Sequence, residues 1–111
     1  MSSLATFAVC RASDIPLGKG RAVTVGGRRI AVFNAATGWY ALDAVCPHQG
    51  GPLADGLLSD SCVACPLHDR RFDLRTGEAL GDGAGVAAHR VEVRGETVEV
   101  TLATQAAAFA A

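Results

Sequence analysis

Two short cysteine–histidine boxes dominate this sequence. The first is Cys46-Pro47-His48 and the second is Cys65-Pro66-Leu67-His68, separated by the 16 residues 49–64. Each box offers one thiolate and one imidazole from a tight turn that proline stiffens. If both serve one site, the fold has to bring the two turns together. Two of the chain's 3 histidines lie within three residues of two of its 4 cysteines, and proline follows cysteine both times. Coincidence rarely supplies that arrangement.

The segments on either side of the boxes are strand-like. Residues 21–25 and 28–33 flank Gly26-Gly27, which predicts a hairpin with a two-residue turn. After Thr37-Gly38, the run Trp39-Tyr40-Ala41-Leu42 is a further strand candidate. Val91 and Val93, then Val98, Val100 and Leu102, alternate with Arg90, Glu92, Arg94, Glu99 and Thr101 about the turn Arg94-Gly95-Glu96. That period of two buries one face and solvates the other. No stretch carries a long stripe of helical period, and the chain has 13 Gly. An all-β antiparallel sandwich or barrel is therefore expected.

Residues 43–82 read as an insertion between the strand-rich flanks, rich in Gly, Pro, Cys, His and Asp. It holds seven acidic residues (Asp43, Asp55, Asp60, Asp69, Asp73, Glu78, Asp82) against three basic ones (Arg70, Arg71, Arg75). The flanks compensate with seven basic against four acidic residues. A long loop-rich stretch inside a small domain is usually functional. The Ala-rich tail, residues 103–111, is expected to be a frayed end.

At 111 residues the chain has room for one domain, 1–111. Half of its residues are hydrophobic and 19% are charged, which suits a packed core and argues against disorder. A net charge of −1 excludes a broad nucleic-acid footprint. Arg11 and Asp14 interrupt the N-terminal apolar residues too early for a signal peptide, and no window is apolar enough to span a membrane. The expected location is the cytoplasm, where cysteines serve as metal ligands or buried apolar groups more often than as disulfides.

Three readings of the boxes compete. A Cys2His2 set can bind zinc tetrahedrally, but zinc fingers usually pair like with like in each arm, whereas here each arm mixes the two. Buried cysteines and structural histidines could also fall there without a ligand role. The third reading is a [2Fe–2S] cluster with two Cys on one iron and two His on the other, which two loops of mixed composition build naturally. The mixed arms favour the third.

The residues around the boxes strengthen it. Cys46-Pro47-His48-Gln49-Gly50-Gly51-Pro52-Leu53 and Cys65-Pro66-Leu67-His68, followed by Phe72-Asp73-Leu74-Arg75-Thr76-Gly77-Glu78-Ala79, resemble the cluster-binding segment of Rieske ferredoxins over roughly residues 7–102. The resemblance implies a Rieske-type antiparallel β-sandwich with a small inserted cluster-binding subdomain. It implies that Cys46 and Cys65 ligate the inner iron of one [2Fe–2S] cluster, and His48 and His68 the outer iron near the surface. Gly50 and Gly51 would let backbone N–H groups approach the cluster sulfurs, besides serving ordinary turn chemistry.

High-potential relatives in respiratory complexes carry an extra cysteine in each box and present serine and tyrosine hydroxyls to the cluster. This chain has Gly51 and Leu67 at the first pair of positions, and Arg70 and Phe72 at the second. Fewer hydrogen bonds to sulfur stabilise the reduced form less, so a low potential is expected, toward about −150 mV on the Rieske scale. Cys10 and Cys62 are expected to be inert thiols, and His89 a surface strand residue. Trp39 and Tyr40 are expected at the sheet core and edge. Arg70 and Arg71 either dock a partner or are simply solvated.

Two kinds of electron carrier fit. The run Gly50–Leu58, then Arg71–Ala79 and Gly83-Ala84-Gly85-Val86, with the opening Val9–Arg21, resembles the small subunit of assimilatory NAD(P)H-dependent nitrite reductase. That resemblance implies a large partner subunit with flavin, an Fe–S cluster and sirohaem, where nitrite becomes ammonia. Many members of that family have lost the four ligands, whereas this chain keeps them. The alternative is the ferredoxin of an aromatic-ring-hydroxylating dioxygenase, working between a flavin reductase and a terminal oxygenase. A zinc-binding or regulatory module is a third class. No catalytic triad, carboxylate pair or phosphate-cradling loop stands out, so no catalytic residues of its own are expected.

Overall fold

The computed structural model describes residues 6–45, 52–59, 61–66, 70–81 and 84–102. Among them are nine strands: β1 (Thr6–Arg11), β2 (Lys19–Val25), β3 (Arg28–Ala35), β4 (Gly38–Asp43), β5 (Leu57–Ser59), β6 (Cys62–Ala64), β7 (Arg71–Asp73), β8 (Ala88–Arg94) and β9 (Thr97–Thr101). A six-stranded sheet has the order β1-β9-β8-β4-β3-β2, and a three-stranded sheet the order β5-β6-β7. Every pairing between strands is antiparallel. The helical content among the described residues is two 3-10 turns, Ala12–Asp14 and Leu53–Asp55. The fold is the all-β antiparallel architecture that the alternation predicts.

The hairpins follow their turn chemistry. Gly26 and Gly27 both take positive φ, 56° and 82°. That is the backbone of a two-residue turn whose twist matches the flanking strands, and it sets Val25 opposite Arg28. Gly95, with φ of 61°, helps turn β8 into β9 and brings Val91 opposite Val100 and Val93 opposite Val98. The alternation about that turn is thus one buried face: Val98 and Val100 are fully buried, with Val91 and Val93 packed beside them.

Two cores lie on opposite faces of β3 and β4. Ile30, Val32 and Ala41 pack with Ile15, Val25, Val98 and Val100. Ala31, Phe33, Ala35 and Leu42 point the other way, against Leu53, Val63, Cys65, Phe72 and Leu74. Burial on both faces explains why Ile30-Ala31-Val32-Phe33 is an unbroken apolar run. Full burial of a side chain such as Phe33 contributes about 1.5–3 kcal/mol relative to exposure. The second core therefore fastens the segment between β4 and β8 onto the main sheet.

Two features escape a search for alternation. In β1 the register shifts between Ala8 and Cys10, so Val9 and Cys10 both pack on the core side. The bulge breaks the period of two and hides the strand. Strands β5, β6 and β7 have three residues each, too few to show a period. The tail 103–111 lies outside the described residues.

Candidate metal centre

Both boxes grow from narrow necks. At the first, β4 ends at Asp43 and the Ala44 amide donates to the Arg29 carbonyl at 3.0 Å. The Leu53 amide returns to the Ala44 carbonyl at 2.9 Å, and Val45 bridges Pro52. The chain thus leaves and re-enters for residues 46–51 at one point. The 3-10 turn that follows buries Leu53 and Ala54 against the outer face of β2 and β3. Gly20, opposite Phe33, makes room for it: a Cβ there would lie 2.6 Å from Phe33 Cδ1 and 2.8 Å from the Ala54 carbonyl oxygen.

At the second neck, β6 runs into Cys65, whose amide donates to the Arg70 carbonyl at 2.6 Å before β7 begins. Cys65 is 2% exposed. It belongs to the same core as Ala44, Leu53, Val63 and Phe72. Both necks therefore stand on one apolar base, made by Ala44, Leu53, Val63, Cys65 and Phe72.

Of the four candidate ligands, Cys65 is placed at that base. Cys46, His48 and His68 lie outside the described residues, as do Gly50, Gly51 and Leu67. Along β6 and into the second box, Val63 and Cys65 are buried, while Cys62 and Ala64 are partly exposed. The Cys62 thiol donates to the Ser59 carbonyl at 3.2 Å. Cys10 is also a free thiol, its pKa pushed up by burial and by Asp14 against the opposing charge of Arg21. Trp39 packs on one core and Tyr40 on the other, where its hydroxyl meets Thr37 Oγ1 at 2.8 Å. Phe72 is buried and carries no hydroxyl to offer a neighbour.

His89 departs from expectation. It is not a surface residue: its side chain is 0% exposed, and Nε2 donates to Asp43 Oδ1 at 2.9 Å. Arg28 Nη2 donates to the same oxygen at 3.0 Å. The signal was legible, because His89 is in phase with Val91 and Val93 on the inward face of β8. Burial pushes the Asp43 carboxyl up, but the His89 hydrogen bond and charge, Arg28 and the Ala87 amide outweigh it and hold it below its usual range.

The residues present fit an iron–sulfur group. The Cys65 thiol, a candidate donor, is buried on an apolar floor, and the two necks lead into the segments that hold the other three candidate ligands. Residues 5–91 match the Rieske [2Fe-2S] domain family. The chain belongs to that family. It is 34% identical over 91 residues to the ferredoxin component of a naphthalene 1,2-dioxygenase system from Pseudomonas aeruginosa, covering 80% of this chain and 88% of that one. A protein assigned as the small subunit of an NADPH nitrite reductase superposes with a TM-score of 0.80 at 27% identity, covering 89% of this chain and 100% of its own. The ferredoxin of carbazole 1,9a-dioxygenase from Nocardioides aromaticivorans gives 0.80 at 29% identity, covering 88% and 98%.

As a Rieske domain, the chain takes one Rieske-type [2Fe–2S] cluster and serves in electron transfer. When bound, such a cluster accepts and releases a single electron. Among the described residues, the protein buries Cys65 away from water in the core beneath the second neck. No helix among the described residues is long and apolar enough to cross a membrane.

Proposed function

We propose that Cys46 and Cys65 hold one iron of the cluster and His48 and His68 the other, the imidazole side facing solvent as the exit for the electron. The burial of Cys65 beneath a neck closed by its own amide supports this division. Thiolates offset charge best where water is excluded, whereas neutral imidazoles tolerate the rim. Exposed Val45 and Leu80 stand beside the two necks, giving a redox partner apolar surface near the exit.

Within the family, the chain acts as the small subunit of an assimilatory NAD(P)H nitrite reductase in the cytoplasm. It relays electrons to a large flavin- and sirohaem-bearing subunit that reduces nitrite to ammonia. What supports this reading is the superposition over the whole of a protein assigned as a nitrite reductase small subunit, together with the likeness of Gly50–Leu58 and Arg71–Ala79 to that kind of subunit. A second reading is favoured by the 34% identity to a naphthalene dioxygenase ferredoxin: an electron shuttle from a flavin reductase to a ring-hydroxylating oxygenase. Copurification of the tagged chain from its native cells separates them. Recovery with a sirohaem protein supports the first, and recovery with an oxygenase or flavin reductase overturns it in favour of the second.

A further inference from the structure

The Asp43 carboxylate is gripped from two other strands at the place where the chain leaves the main sheet. Oδ1 accepts from His89 Nε2 at 2.9 Å and from Arg28 Nη2 at 3.0 Å, and Oδ2 accepts from the Ala87 amide at 3.4 Å. The Asp43 amide in turn donates to the Ala87 carbonyl at 3.0 Å. Asp43 is the last residue of β4, and Ala87 immediately precedes β8. The exit of the cluster-bearing segment is thus tied to its re-entry.

The register shows why these side chains meet. Asp43 lies opposite Ile30, and Ala41 lies opposite His89. Asp43, Ala41, Ile30, Arg28 and His89 therefore share the inward face of the six-stranded sheet, at the end from which the first neck rises. Apolar side chains there would close the core equally well. A buried imidazole and a carboxylate instead bring desolvation cost and directional geometry, which suits fixing a position more than adding stability.

We propose that Asp43 is a positioning residue for the first ligand loop, with His89 and Arg28 as its clamps. Two residues, Ala44 and Val45, separate Asp43 from Cys46, and Ala44 makes the two bonds of the neck, to Arg29 and from Leu53. Releasing Asp43 frees the end of β4, and with it the base from which residue 46 departs. The proposal rests on Cys46 being a cluster ligand, but its local effect is measurable without the cluster.

The test is amide hydrogen exchange on the full-length protein, with and without iron, for Asp43→Ala, His89→Leu and His89→Gln. Exchange at Ala44 and Leu53 should rise about tenfold or more in Asp43→Ala and His89→Leu, the size expected from losing a charge-assisted hydrogen bond. Val98 and Val100 should stay protected, and His89→Gln, which keeps a donor, should recover most of the protection. In the iron-loaded proteins, a chelator should remove iron faster in the same order. A rise spread evenly over the main sheet, or none at Ala44 and Leu53, overturns the proposal. Wild-type protein that binds no iron would instead refute the ligand assignment, and the exchange pattern would still decide the clamp.

Discussion

The Cys65 amide donates to the Arg70 carbonyl oxygen at 2.6 Å, so the segment carrying Pro66 and His68 starts and ends at one point. The Cys65 thiol at its foot is buried in the same core that anchors the first neck. Two stretches distant in sequence thereby rest on one core, through Ala44 and Leu53 at the first neck and Cys65 at the second.

Cys65→Ser should abolish the cluster. A serine hydroxyl on an apolar floor is a poor substitute for a thiolate toward iron. Visible absorption, iron analysis and EPR on freshly purified protein check this. Wild type should contain two irons per chain, and the variant little or none. Stoichiometric zinc in wild type, without a Rieske EPR signal, would overturn the cluster assignment.

The reduction potential should lie toward the negative end of the Rieske range, near about −150 mV. The reason is the shortage of hydroxyl donors: Arg70 and the buried Phe72 stand where high-potential relatives present serine and tyrosine. A redox titration giving more than about +100 mV would contradict this.

Gly77→Ala should destabilise the protein by about 1–3 kcal/mol, measured by urea unfolding at neutral pH. Gly77 has φ of 79°, and a Cβ there would collide with the Val86 carbonyl oxygen. The Gly77 carbonyl also accepts from the Val86 amide at 2.8 Å, so the backbone has little room to yield.

Asp73→Asn should lower stability at pH 7 by an amount that shrinks in acid. Asp73 Oδ1 accepts from the Arg75 amide at 2.7 Å and the Thr76 amide at 3.3 Å. The Arg75 amide bond is the main cause holding its carboxyl below the usual range, against a small opposing effect of burial, with Thr76 and the Arg75 side chain adding to it. A lowered folded pKa gives stability that is present above the unfolded value, about 3.9, and is lost as pH falls through the folded one. Urea titrations of both proteins at pH 7 and near pH 3 should show the gap closing. A gap that persists at the lower pH would mean that the carboxylate's charge is not its source.

The hairpins at Gly26-Gly27 and Gly95 and the alternation of Val91 to Val100 were legible because turn chemistry and a period of two are local properties. β1 was not, because the bulge near Val9 sends two successive residues inward. His89 was misplaced by its polarity, though its phase with Val91 pointed inward.

By itself the sequence determined the chemistry: two mixed boxes of Cys and His whose residue types and spacing suit a Rieske cluster, set between strands with clear hairpin turns. The tertiary structure decided what no window of residues contains. β3 and β4 are buried on both faces, so Leu53, Val63, Cys65, Phe72 and Leu74 of the segment between β4 and β8 are packed onto the sheet and not merely tethered to it. Asp43 meets His89 and Arg28 across distances of 46 and 15 residues. Burial and long-range hydrogen bonds depend on which strands become neighbours, and that is settled only when the whole sheet closes around its cores.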